Sequence, residues 1–311
     1  MSPKNQLVIN WHVTEACNYN CNYCYATWTE SQVRRELIND TDQAYKFLGE
    51  LYRFFHPDND SNPLKQKFTW DSVRLNLAGG EPLLLRKKLP DIIRIARQLG
   101  FEISIISNGS LLNSNLVAEI SSDITMLGVS IDSVSPLANI AIGRADRSRR
   151  LLNIDELSRN IITATEINPD LKIKINTVVN SLNHGENMTS VINTLTPDRW
   201  KVLRMLPVVN SNLAVSDHQF QDFVNRHIEF SRVIRVEDND EMQNSYIMVD
   251  PKGRFFQNSP ISNGNSGYEY SESIMTAGAE QAYRDITFSS EKFLRRYDQD
   301  QGEQSDALLF G

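Results

Sequence analysis

The chain holds three cysteines in 311 residues, and all of them, Cys17, Cys21 and Cys24, fall on one short stretch. Random placement gives this spacing roughly once in 16,000 arrangements. An odd number cannot pair off as disulfides, and core cysteines scatter along a sequence rather than crowd together. Zinc takes C-x2-4-C pairs with a fourth ligand, which His12 could supply. His12 lies in a strand-like run, however, where a packed or hydrogen-bonded imidazole is the better reading. The C-x3-C-x2-C spacing suits a [4Fe-4S] cluster held by three thiolates, with one iron left open to chelate an amine and a carboxylate.

Composition narrows the setting. With 40% hydrophobic and 23% charged residues the chain is an ordinary globular one. It lacks the run of about 18 apolar residues that a membrane-spanning helix needs. Lys and Arg number 32 against 39 acidic residues, a net charge of -7. That balance argues against broad binding to nucleic acid or an anionic membrane, though not against a local basic pocket. No signal peptide, transit peptide or amphipathic anchor opens the sequence, so a cytoplasmic location and a monomer are the expectation.

Apolar periodicity predicts strands over residues 7–13, 73–77, 101–106, 125–131, 171–179 and 200–206. Helices are expected between them, over 42–55, 90–99, 115–121, 155–167 and 186–195. Alternating strands and helices imply parallel, right-handed βαβ units. With no glycine-rich dinucleotide fingerprint, the α/β fold expected is a partial (β/α)6 barrel of the TIM type. It would cover residues 1–210, with a C-terminal extension over 211–311 closing over the substrate.

In such barrels chemistry sits at the C-terminal strand ends. After the second strand stands Gly79-Gly80-Glu81-Pro82, whose glycines would let backbone approach a ligand and whose Glu81 could accept from an ammonium group. Ser107-Asn108-Gly109 follows the third strand, Ser130 and Asp132 the fourth, and Asn176 lies in the fifth. Each alone reads equally well as a cap or turn. Behind a three-cysteine loop, though, the set resembles the radical S-adenosylmethionine (SAM) superfamily. The resemblance implies that Cys17, Cys21 and Cys24 bind the cluster and that Tyr23 lies beside the adenine. Gly79, Gly80 and Glu81 would hold the SAM amine, and Ser107, Asn108, Ser130 and Asn176 would complete the cofactor site.

Further stretches narrow the resemblance: Asn10-Trp11-His12-Val13-Thr14, Ile142-Gly143-Arg144, Lys174-Ile175-Asn176, Arg199-Trp200-Lys201 and Asn244-Ser245-Tyr246 ahead of Arg254-Phe255. In order, over about residues 8 to 296, they are similar to viperins. That likeness implies conversion of a ribonucleoside triphosphate to its 3′-deoxy-3′,4′-didehydro form, a chain-terminating antiviral nucleotide, in a soluble bacterial-type enzyme acting against phage. Arg144, Lys174 and Lys201 would bind phosphates, with Arg199 in support, and Asn10 would meet the ribose or base. Arg74 stands where relatives carry lysine, Arg254 falls in a matching stretch, and Tyr246 is the candidate donor or positioning group.

An external one-electron reductant of flavodoxin or ferredoxin type is implied as well. The polar residues 256–267 depart from the animal pattern, so CTP, UTP and GTP stay open, and residues 257–309 are read as a lid. A glycyl-radical activase, a peptide modifier or a non-catalytic iron–sulfur or zinc nucleotide sensor are the alternatives.

Overall fold

The computed structural model describes residues 2–26, 36–208, 211–258 and 268–300. Its strands are β1 (Ser2–His12), β2 (Phe68–Ala78), β3 (Glu102–Ser107), β4 (Met126–Ser130), β5 (Lys172–Val179), β6 (Arg199–Arg204), β7 (Ile234–Glu237), β8 (Ile247–Val249), β9 (Arg254–Asn258) and β10 (Tyr268–Ser273). They form one sheet in the order β10-β9-β8-β1-β2-β3-β4-β5-β6-β7. Neighbours from β1 to β7 are parallel, β8 joins β1 in parallel, and β9 and β10 add antiparallel pairs. The ends of the order, β10 and β7, do not pair, so the barrel is open.

All six expected strands are present. The residues assigned to the extension add to the same sheet at both edges, β7 beyond β6 and β8–β10 beyond β1. The helix Pro136–Ile142, absent from the sequence reading, follows β4, and a capping box at Ser216 and Gln219 starts another helix, Asp217–Arg226.

Parallel strands covered on both faces usually read as continuous apolar runs. These strands alternate instead. Leu7, Ile9, Trp11 and Val13 of the first strand and its exit are completely buried. So are Leu75 and Leu77 of β2, Ile175 of β5, and Trp200 and Val202 of β6. Between them come Asn10, Arg74, Asn76, Lys174, Arg199 and Lys201, which line the interior of the barrel. A period of two gives each strand an oily face for the helices and a charged face for the lumen.

The helix Thr41–Phe55 shows how the oily face is covered. Asp40 caps it by accepting from the Gln43 N–H, and Phe47, Leu48, Leu51 and Phe55 are wholly buried. The Phe47 ring lies 5.0 Å from that of Trp11. At the other end of the chain Phe293 stacks on Phe68 at 5.3 Å. The described part of the segment read as a lid is therefore packed into the body, while residues 259–267 and 301–311 lie outside the described residues. No helix among those described is long and apolar enough to cross a membrane.

Phe47→Ala should lower unfolding free energy by about 3–5 kcal/mol, because a buried aromatic leaves a cavity that cannot collapse fully. Urea titration followed by tryptophan fluorescence checks this, and a loss under about 1 kcal/mol would mean the helix is not docked as described.

Candidate active site

The cysteine loop leaves β1 and is fastened on two sides. On one, Val13 N–H donates to Ala78 O at 2.9 Å, Gly80 N–H to Thr14 O at 2.7 Å and Glu81 N–H to Ala16 O at 2.8 Å. A Cβ at Gly80 would collide with the Ala16 carbonyl, and one at Gly79 would lie 2.6 Å from Thr14 O. The paired glycines thus permit close approach of the two loops to each other. On the other side Asn20 N–H donates to Gly143 O at 3.2 Å and Asn22 N–H to Ile142 O at 2.9 Å. Gly143, at φ +92°, has no room for a side chain against Asn20.

The thiols meet donors. Tyr19 N–H approaches Cys17 Sγ at 3.4 Å, and an Arg144 Nη1–H approaches Cys21 Sγ at 3.8 Å. Donors to sulfur favour thiolate ligands. Among the described residues no three His, Cys, Asp or Glu side chains converge tightly enough to hold one metal ion. His12 is no fourth ligand: it is buried, edge-on to Phe256 at 5.2 Å, and burial pushes its imidazole down to about 3. Three thiols on one loop fit a cluster in which each takes its own iron.

Several residues near this loop prove to be braces. Glu81 is fully buried and accepts from Ser107 Oγ at 2.8 Å, Leu83 N–H at 2.9 Å and Asn108 N–H at 2.7 Å. These donors make Glu81 a brace between the strand ends and the loop. Asn108 in turn donates to Asn18 Oδ1 at 2.8 Å, so Ser107 and Asn108 tie the third strand end to the cysteine loop. Ser130 and Asn176 are register partners across β4 and β5. The buried Asn176 Oδ1 has no hydrogen-bond partner among the described residues, as expected of a group waiting for a ligand.

Arg144 is the clearest relocation. Expected among the phosphate ligands, it lies at the cluster loop instead, buried, with its Nε 3.3 Å from Asp132 Oδ2 and its Nη2 donating to Ser130 O. Tyr23 donates its hydroxyl to the same Asp132, whose other oxygen accepts from Val178 N–H at 2.9 Å. Asp132 is a hub that type and position alone did not single out. A cavity of about 330 Å³ opens beside this group, lined in part by Tyr19, Asn108, Ser130, Asn139 and Arg144. Arg254 also lies apart from the interior cations, paired with Asp250 at 2.7 Å and stacked over Tyr270 at 4.3 Å.

The other cations do converge. Arg74, Lys174, Arg199 and Lys201 line the lumen together with Arg235 and Arg296, which the sequence reading missed. They occupy the lower strand positions, not the C-terminal ends, as the register Gly128–Lys174–Arg199 and Ser130–Asn176–Lys201–Arg235 shows. Lys174 makes no hydrogen bond or ion pair within the described residues. Burial, then Lys201, Arg199 and Arg74, push its ammonium well below its ordinary value. Asn10 belongs to a polar ladder in the same lumen, accepting from Asn76 Nδ2 at 2.9 Å while Ser104 Oγ donates to Asn76 Oδ1 at 2.8 Å.

Among the described residues, Glu237 is the one carboxylate lining this lumen. It pairs with Lys201 at 2.5 Å and Arg296 at 3.1 Å, and it accepts the Tyr246 hydroxyl. Lys201 donates to Tyr246 Oη at 2.6 Å, and the Arg296 guanidinium lies 3.4 Å from the centre of the Tyr246 ring. Burial alone would raise the Glu237 carboxyl, but Arg296 and Lys201 overcome it and hold the group at about 2. The alternating Ile234-Arg235-Val236-Glu237 was a readable strand signal; Arg296, on the helix Ser290–Asp300, had none.

An open parallel barrel with a three-thiolate loop at the strand exits defines a radical SAM protein, and the family model described as Radical SAM superfamily matches residues 11–179. Members of this superfamily use a [4Fe-4S] cluster and SAM. A solved structure described as native anSMEcpe with bound AdoMet and Kp18Cys peptide shares the fold at TM-score 0.62 and 14% identity, over 94% of this chain and 82% of that one. The S-adenosylmethionine-dependent nucleotide dehydratase of Pseudoalteromonas ulvae is 41% identical over 96% of this chain and 94% of its own length. The nucleotide dehydratase RSAD2 of Danio rerio is 30% identical over 93% of this chain and 76% of its own. Within the superfamily the chain belongs to the family of the SAM-dependent nucleotide dehydratases, the viperin-like enzymes.

Glu237→Gln should cost about 3–5 kcal/mol, because it strands Lys201 and Arg296 as buried charges. The Glu237 carboxyl is depressed on folding, so its contribution is present above its ordinary value of 4.5 and is lost as pH falls through about 2. The gap in stability between wild type and Glu237→Gln should therefore narrow over that range. A gap that stays constant down to pH 2 would contradict the ion-pair assignment.

Proposed function

We propose that this protein is a radical SAM nucleotide dehydratase that converts a ribonucleoside triphosphate to its 3′-deoxy-3′,4′-didehydro analogue. The observation that carries the reading is the cation-lined lumen beneath the cysteine loop, which suits one strongly anionic ligand entering tail first. Arg and Lys on separate strands converge there, with Glu237 the one carboxylate among the described lining residues, and a triphosphate brings negative charge to meet them. Lys174, which makes no ion pair among the described residues, is the main phosphate ligand, with Lys201, Arg199 and Arg74 around it. Asn10, in the amide ladder, meets the ribose or base. Arg254 stays outside this set.

The cluster and SAM, when bound, supply a 5′-deoxyadenosyl radical. Cys17, Cys21 and Cys24 hold the cluster. SAM would be held at the ends of β2 to β5, with the backbone of Gly79 and Gly80 toward its amine, Arg144 and Ser130 toward its carboxylate, Asn176 toward its ribose and Tyr23 toward its adenine, while Glu81, Ser107 and Asn108 keep the loops in place. Anchoring the phosphates low in the barrel raises the ribose toward the cofactor, so that one hydrogen, that on C4′, is the one in reach.

Loss of the 3′ hydroxyl as water then consumes one proton and one electron. Tyr246 stands at the lumen with its hydroxyl held by Glu237 and Lys201, placed to supply or relay them. The electron for the cofactor comes from an external carrier of flavodoxin or ferredoxin type. The enzyme works as a cytoplasmic monomer, without nucleic acid or membrane, and its product terminates chains copied by a phage polymerase.

Cluster-reconstituted protein, dithionite and SAM incubated with each of CTP, UTP, GTP and ATP should yield 5′-deoxyadenosine and one nucleotide lighter by a water. Lys174→Ala should weaken triphosphate binding by roughly 1.5–3 kcal/mol and leave SAM binding nearly unchanged. Equal binding of nucleoside, monophosphate and triphosphate to the wild type would overturn the phosphate roles.

A further inference from the structure

The helix Pro136–Ile142 carries its apolar residues on the wrong side for a helix that only covers a core. Leu137 is 80% exposed and Ile140, three residues on, is 40% exposed, while Ile142 is completely buried. Residues three apart share a helix face, so Leu137 and Ile140 form one apolar spot in solvent. The turn that follows is basic. Arg147, Arg149 and Arg150 are all exposed in a chain whose net charge is -7. Arg150 pairs with Asp146 at 2.7 Å, whereas Arg147 and Arg149 have no ion pair among the described residues.

This spot is joined to the cysteine loop. The last carbonyls of the helix and its cap accept from that loop: Ala141 O from Asn22 Nδ2 at 2.9 Å, Ile142 O from Asn22 N–H and Gly143 O from Asn20 N–H. Gly143 O also lies 3.8 Å from Cys21 Sγ. From the apolar spot the route to a cluster ligand runs along one stretch of backbone and across one contact.

We propose that Leu137, Ile140 and the arginine turn form the docking surface of an acidic one-electron carrier protein, flavin- or iron–sulfur-containing, which feeds the cluster through the Gly143–Cys21 contact. The inference rests on the radical SAM reading above and adds where its electron enters. An apolar centre with a charged rim is how protein interfaces combine adhesion with orientation. A basic rim on an acidic protein selects and steers an anionic partner that the molecule as a whole would repel. One electron leaves the reduced carrier and one enters the cluster; no bond on this chain is made or broken.

The test uses a purified flavodoxin as carrier, with the variants Leu137→Asp and Arg147→Glu/Arg149→Glu. Flavodoxin should bind the cluster-free wild type, more weakly as salt rises, and bind each variant about tenfold or more weakly. In the reconstituted enzyme, 5′-deoxyadenosine formation driven by flavodoxin hydroquinone should fall by a similar factor, while formation driven by dithionite stays within about twofold of wild type. Unaltered binding in both variants, an equal fall with both reductants, or a wild type that binds an oligonucleotide in place of the carrier would overturn the proposal. Absence of dithionite-driven chemistry in the wild type would instead count against the function, and the binding measurements would still decide the surface.

Discussion

The structure depends on one constraint, the two-residue period of its parallel strands. Each strand offers one face to the helices and one to the lumen, and every consequence follows from which residues fall on which. Burying Leu7, Ile9, Trp11, Leu75, Ile175 and Trp200 outward contributes the apolar area that holds helices to sheet. The same register forces Arg74, Lys174, Arg199 and Lys201 together on the other side, where they repel one another. A one-residue slip in any strand would exchange the two sets. The fold thus maintains an electrostatically unfavourable interior by means of a favourable exterior, the kind of local cost found at binding sites.

Two buried carboxylates offset some of the buried cations. Glu237 takes Lys201 and Arg296 and fixes the Tyr246 hydroxyl; Asp132 takes Arg144 and fixes the Tyr23 hydroxyl. Each forms an anion–cation–phenol group, one in the lower lumen and one at the cysteine loop. On the proposed function, this repetition would separate two tasks, gripping a highly charged ligand in the lumen and seating a cofactor at the loop. The register partners Asn176 and Lys201 on β5 and β6 are where the two groups adjoin. Lys174, like Arg74, Arg199 and Arg235, is in neither pairing.

Much of this was legible in the sequence, and the failures are instructive. The cysteine spacing and six apolar runs specify the barrel because both are local patterns. The lumen cations Lys174, Arg199 and Lys201 were legible for the same reason, since alternation along a strand places them. Arg144 was not, because it lies on a loop whose course is set by hydrogen bonds to Asn20 and Asn22, far away in sequence. The bracing role of Glu81 was not legible, because a carboxylate near a ligand site and a carboxylate bracing one look alike until its donors are seen. Arg235 and Glu237 carried a readable alternation in a run of only four residues, and Arg296 reaches the lumen solely through the docking of the final helix.

The central claim is that phosphates anchored low in the barrel present C4′ of a ribose, and no other carbon, to the cofactor. A triphosphate carrying deuterium at C4′ measures this directly. The account predicts one deuterium in 5′-deoxyadenosine and a nucleotide lighter by one water, with label at C2′ or C3′ retained by the nucleotide. Deuterium arriving from C3′, or 5′-deoxyadenosine without label alongside an unchanged nucleotide, would contradict it.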